Sequence, residues 1–239
     1  MLKAVLFDFN GVIINDELLH QRLIEQIIVE ENLRPSPGEF RQICLGRSDR
    51  ACLNDLLSRR GRVLSESYLT QLVNRKTQAY QNQLKQLEKL PLYPGLDDLI
   101  FQLRARDLKL AVVCEAIGKE VELVLQRAAL AEYFKLIVGA DDVITSTPAP
   151  NRYILAMEQF NQLDPSFNLQ PFECLAIQDT PVGIEAAHSA GMQAVGVANT
   201  YPFHMLQRLA DWTVDYLCDL ELERVEQVYA ETETQSTAS

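Results

Sequence analysis

The sequence is short of positive charge: 22 Lys and Arg stand against 33 Asp and Glu in 239 residues, a formal net charge of −11. That balance repels nucleic acid and anionic membrane, so neither is expected as a partner, and a site for an anionic ligand must build its positive charge locally. Long apolar runs are lacking as well. Those at 136–140 and 194–198 are strand-sized, far below the roughly 20 residues that span a bilayer, and no membrane span is expected. The apolar stretch 4–7 stops at Asp8, too short for the core of a secretory signal, so a cytoplasmic location is expected. No C-x-x-C pair occurs. Cys44, Cys52, Cys114, Cys174 and Cys218 are odd in number and widely spread, which predicts mostly buried free thiols, not a zinc or redox site. What is present, 47% hydrophobic and 23% charged residues, suits a soluble globular chain.

Residues 3–7 read as a buried strand, closed by Asn10-Gly11. From Asp16 the apolar residues Leu19, Leu23, Ile24, Ile27 and Ile28 recur at helical spacing to about Asn32, and charge-laced helical sequence continues from Pro37 to about Leu90. After Pro94-Gly95 the texture changes. Apolar strands at 108–113, 136–138, 174–177, 193–197 and 213–217 alternate with helical patterns at 118–131, 151–161 and 181–190. Continuous apolar strands separated by helices predict an α/β fold, a doubly wound parallel sheet covered on both faces. The expected organisation is a Rossmann-like core of residues 1–15 and 92–239, with a disordered polar tail at 231–239, and an inserted all-helical cap at 16–91. Ligands of such sheets bind at the carboxyl ends of the strands. Asp8, Asn10, Cys114, residues 141–147, Gln178 and Asp179 fall there, and the helical insertion leaves from the same edge as a lid.

Asp8-Phe9-Asn10-Gly11-Val12 after a strand, Tyr93-Pro94-Gly95 where the core resumes, Thr147-Pro148-Ala149-Pro150, and the run from Gln178-Asp179-Thr180-Pro181 through Gly191 together resemble the four signatures of the haloacid dehalogenase superfamily. The helical insertion resembles the cap of its β-phosphoglucomutase and phosphoglycolate-phosphatase branch. The resemblance implies a covalent aspartate nucleophile at Asp8 and a Mg²⁺ site formed by Asp8, Asp179 and the backbone carbonyl of Asn10. Oxygen-only ligation suits Mg²⁺. It also implies that the cap segment Leu45-Gly46-Arg47-Ser48-Asp49-Arg50 faces the site, making Arg47 and Arg50 the candidate substrate-binding cations, suited to phosphate by their planar forks.

Four positions depart from the family pattern. Asn10 stands where phosphatases of the family carry an aspartate acid/base, a loss worth roughly 10²–10⁴ in rate. Cys114 replaces a Ser or Thr, Thr147 replaces the lysine that holds the phosphoryl group, and Gln178 replaces an acid beside Asp179. Arg152 is expected on the next helix, directed elsewhere, and His20 on the solvated side of the cap. These departures lead to the expectation of a pseudo-phosphatase that acts by binding a phospho-ligand or a protein partner. The alternative is a slow Mg²⁺-dependent phosphatase or phosphomutase acting on a small phosphorylated metabolite through Asp8. Haloacid dehalogenation, which keeps the serine and lysine, fits no better.

Overall fold

The structure is a computed structural model that describes residues 1–143 and 149–237. Thr147, one of the four departures, lies outside the described residues. In chain order the elements are β1 (Ala4–Phe7), α1 (Glu17–Glu30), α2 (Glu39–Ile43), α3 (Asp49–Ser58), α4 (Glu66–Gln86), α5 (Leu96–Ala105), β2 (Lys109–Val113), α6 (Gly118–Arg127), β3 (Phe134–Val138), α7 (Asn151–Leu163), β4 (Cys174–Gln178), α8 (Pro181–Ser189), β5 (Gln193–Val197), α9 (Phe203–Leu206), β6 (Trp212–Val214) and α10 (Leu222–Thr237).

The strands form one sheet in the order β3-β2-β1-β4-β5-β6, every pairing parallel. Along β1 the side chains alternate between faces. Val5 and Phe7 join one buried cluster with Leu110, Val112 and helices α5, α6 and α10, while Ala4 and Leu6 join another with Ala111, Val113 and helices α7 and α8. Covering both faces explains why each strand is a continuous apolar run. The order reverses at β1, whose neighbours are β2 and β4. This reversal is the switch point where open α/β sheets present a crevice at their carboxyl edge.

Helices α1–α4 leave from that edge and pack on one another through a third cluster that includes Ile24, Ile28, Leu53, Leu57 and Leu72. The core resumes where Asn15 N donates to Pro91 O and Ile14 bridges Leu92.

Three local expectations are corrected. The sixth strand stops at Val214 and gives way to a 3-10 turn at Leu217–Asp219. The last helix continues to Thr237 in place of a disordered tail from Glu231, because the Glu and Gln that follow the buried Leu222, Val225 and Tyr229 are good helix formers. Cys44 and Cys52 are not free thiols. The left-handed turn at Gly46 and the helix start at Ser48 fold the chain back, placing their Cα atoms 4.7 Å apart and joining them in a disulfide. Cys114 and Cys174 are buried free thiols, and Cys218 is exposed.

Candidate active site

The sheet's carboxyl edge and the cap enclose a cavity whose lining includes Asp8, Asn10, Cys114, Gln178 and Asp179 from the core and His20, Phe40, Gly46, Arg47 and Asp49 from the cap. Its floor is fixed by backbone bonds that prolong the ladder past the strand ends. Asp8 N donates to Ile177 O at 2.9 Å, and Cys114 N donates to Val138 O at 3.0 Å. The chain then turns sharply at Gly11, φ 80°, where a Cβ would lie 1.8 Å from Asp179 Oδ2. Only glycine tolerates both the conformation and the approach. Gly11→Ala is therefore expected to cost about 3 kcal/mol of stability or more; a thermal unfolding midpoint equal to the parent's would contradict this close packing.

Asp8 opens onto the cavity and is packed in on its other sides, with Oδ1 accepting from Phe9 N at 2.7 Å. Burial, then the nearby Asp179 carboxylate, raises its pKa well above the usual carboxylate value. Burial likewise pushes Asp179 up to about 7. Two carboxylates with depressed acidity in one crevice form a site that a cation would stabilise. Asp179 Oδ1 is buried and has no hydrogen-bond partner, an unusual state for a buried oxygen. An all-oxygen donor set with one oxygen left unpartnered fits a hard divalent ion such as Mg²⁺.

The departures from the family pattern have company in the same cavity. Asn10 Nδ2 donates to Asp16 Oδ1 and Oδ2 at 3.0 and 3.1 Å and lies 3.1 Å from His20 Nε2. His20 Nε2 is also 3.2 Å from Asp16 Oδ2, and its ring packs on Tyr80, whose hydroxyl donates to Asp16. Burial alone would raise the pKa of Asp16. The charge and hydrogen bond of His20, with the bonds from Tyr80 and Asn10, outweigh it and keep Asp16 ionised. His20 is thus not a solvated cap residue: its side chain is 12% exposed and lines the cavity.

Arg152 stands on the helix expected for it, α7, but turns toward the cavity and not elsewhere. Its side chain is 5% exposed, pairs with Glu115 Oε1 at 2.5 Å, donates from Nε to Gly139 O at 3.1 Å, and lines the cavity. Its charge is felt at Asp8. The first turn of a helix that follows a parallel strand lies at the carboxyl edge, a signal that could have found it. For Asp16 and His20 the available signal was their spacing of four residues, one turn of a cap helix.

Cys114 is buried, and burial with the neighbouring Asp8 raises its thiol pKa well above the usual value, so it offers no thiolate nucleophile. Gln178 Nε2 donates to Tyr153 OH at 2.7 Å, while its Oε1 has no partner. Arg47 reaches the cavity wall but donates to Asp55 Oδ2 at 2.8 Å and Ile43 O at 3.0 Å. Arg50 lies outside the cavity lining, paired with Glu66 and Thr70 at 2.8 Å each. A second acidic cluster, His20, Asp49 and Glu120, has ligand atoms within 4.8 Å of one another. Its cation is Lys76, buried, with Nζ 2.7 Å from Asp49 and 3.3 Å from Glu120. Among the described residues no helix is long and apolar enough to cross a membrane.

Comparison with known proteins agrees with this geometry. The β-phosphoglucomutase of Bacillus subtilis (strain 168) is 30% identical over 227 residues, covering 93% of this chain and 93% of its own. A crystal structure of β-phosphoglucomutase from Clostridium difficile superposes with a TM-score of 0.83 at 21% identity, covering 98% of this chain and all of its own, which speaks to the fold alone. CbbY from Rhodobacter sphaeroides in complex with phosphate superposes with a TM-score of 0.80 at 22% identity, covering 92% of this chain and 97% of its own. The model of the haloacid dehalogenase-like hydrolase family matches residues 5–197. Aspartate-tipped first and fourth strands, a parallel sheet with its switch point at β1, and a helical cap inserted after that strand are thus those of the family to which this chain belongs, the haloacid dehalogenase-like hydrolases.

Proposed function

We propose that the chain is a Mg²⁺-dependent phosphatase or phosphomutase acting on a small phosphorylated metabolite of the sugar-phosphate type, through an aspartyl-phosphate on Asp8. The observation that carries this is the pair of acidity-depressed carboxylates, Asp8 and Asp179, facing a capped cavity with one Asp179 oxygen unpartnered. Relatives named β-phosphoglucomutase and phosphorylated carbohydrates phosphatase support the substrate class.

Asp8, Asp179 and the Asn10 carbonyl would hold Mg²⁺, which supplies positive charge that offsets repulsion between carboxylate and phosphate. Asp8 attacks phosphorus, the bond from phosphorus to the substrate oxygen breaks, and that oxygen needs a proton unless its alcohol is acidic. Asn10 cannot give one. His20 Nε2 sits between an amide donor, Asn10, and a carboxylate acceptor, Asp16, so both its protonation states are satisfied, as an acid/base requires. His20 gives the leaving oxygen its proton and takes one from the water, or acceptor hydroxyl, that then attacks the aspartyl-phosphate and frees Asp8. Asp16 and Tyr80 hold the imidazole in place.

The binding-only reading rests on the four departures, whereas the presence of His20 and Arg152 in the same cavity favours turnover. Turnover of an activated aryl phosphate and of a hexose monophosphate decides between them. The expected result is hydrolysis or isomerisation above background, abolished by chelator and restored by Mg²⁺. Saturable phosphate binding with no turnover of either substrate would make the chain a binding protein.

A further inference from the structure

The geometry points to Arg152, braced by Glu115, as the residue that grips the transferring phosphoryl group in place of the lysine absent at Thr147. The inference rests on the phosphoryl-transfer reading above. Of the described residues that line the cavity, Arg47 and Arg152 are the only Lys or Arg. Arg47 stands on the cap and is held by Asp55 and Ile43 O. Arg152 stands in the first turn of α7 and lines the cavity together with Asp8 and Cys114, the residues that follow β1 and β2.

A guanidinium has five N–H donors. Gly139 O takes Nε, Glu115 takes one from Nη1, and Val143 O takes one from Nη2 at 3.5 Å. Among the described residues these contacts fix the plane of the fork and take three of its five donors. A buried arginine oriented by three oxygens loses little freedom when it meets an anion, and a forked donor matches phosphoryl oxygens better than an ammonium does. Glu115 does a second thing. Next to Asp179 the chain carries the neutral Gln178, so Glu115 restores a third carboxylate to a floor that already holds Asp8 and Asp179. A divalent cation together with Arg152 neutralises that set.

Removing Arg152 alone would strand Glu115 as a buried charge, so the informative variant is E115Q/R152Q, in which two neutral amide side chains face one another. The probe is inorganic phosphate, titrated calorimetrically with Mg²⁺ present. The expected result is a loss of phosphate affinity of roughly 10–100-fold relative to the parent, the weight of one charge-assisted bond to an anion. R152K, which keeps the charge and loses the fork, falls between the two. Adding T147K to E115Q/R152Q returns an amine at the family's usual position and is expected to recover at least about tenfold of the loss. Phosphate affinity unchanged within twofold in a folded E115Q/R152Q protein, or in R152K if the double variant fails to fold, would overturn the inference and leave Arg152 a structural brace for the β3–α7 connection. Absence of phosphate binding by the parent itself would instead remove the phosphoryl-transfer reading on which the inference stands.

Discussion

Asp8→Asn is expected to reduce turnover by roughly 10⁴-fold or more while making the metal-free protein more stable. The two effects share one cause. Asp8 is the group that attacks phosphorus, and it is also a carboxylate held near Asp179 in a site that disfavours its charge. Its folded pKa lies above the unfolded one, so the protonated form is the one the fold prefers. Relative stability is therefore fully present below the unfolded pKa and is lost as pH rises through the folded value. The parent carries that penalty at neutral pH, and the amide does not. Thermal unfolding in chelator should place the variant above the parent by a few degrees at neutral pH, with the gap closing toward acid. With Mg²⁺ the order should invert, because an ion that binds the folded parent more tightly stabilises it more. A variant that keeps measurable turnover would remove Asp8 from the chemistry.

For His20→Gln the size of the defect is expected to depend on the substrate. A sugar phosphate, whose departing alkoxide needs a proton, should lose roughly 10²–10⁴-fold. An activated aryl phosphate, whose phenolate leaves unaided, should lose less than about tenfold because the proton donor contributes little to it. A residue that only shapes the cap would depress both substrates alike, and that outcome would assign His20 to positioning. Asn10→Asp in the His20→Gln background returns a carboxyl acid one hydrogen bond from the lost imidazole and should recover sugar-phosphate turnover. Steady-state rates on the two substrates check both.

The sheet, its parallel order and the position of the insertion were legible because they are one-dimensional facts. Apolar runs of four or five residues alternate with helical spacing, and Asp8 and Asp179 each follow such a run. The departures at Asn10, Cys114, Thr147 and Gln178 were equally legible. Their counterparts were not. Arg152 and Glu115 are 37 residues apart and meet only because β2 and β3 are neighbours. Asp16 and His20 reach Asn10 only because the chain folds back on itself between Phe9 and Ile14 before α1 begins. A motif records which residue type stands at a position, whereas a charge can be supplied from any position that folding brings within a few ångströms. The Cys44–Cys52 disulfide escaped for the same reason, since an eight-residue spacing says nothing until the Gly46 turn closes it.

That turn also bears on what can enter. A Cβ at Gly46 would lie 3.0 Å from Val182 and 3.4 Å from Thr180, so the cap's inner loop rests against the first turn of α8, directly above the residues that follow β4. Asp8 and Gly46 line the same cavity, so a phosphate that meets Asp8 has its carrier beside that loop. On the phosphoryl-transfer reading, a roof set that low over the crevice is expected to favour phosphate carried by a small metabolite over phosphate on a loop of a folded protein, a preference that turnover of the two kinds of substrate would read directly.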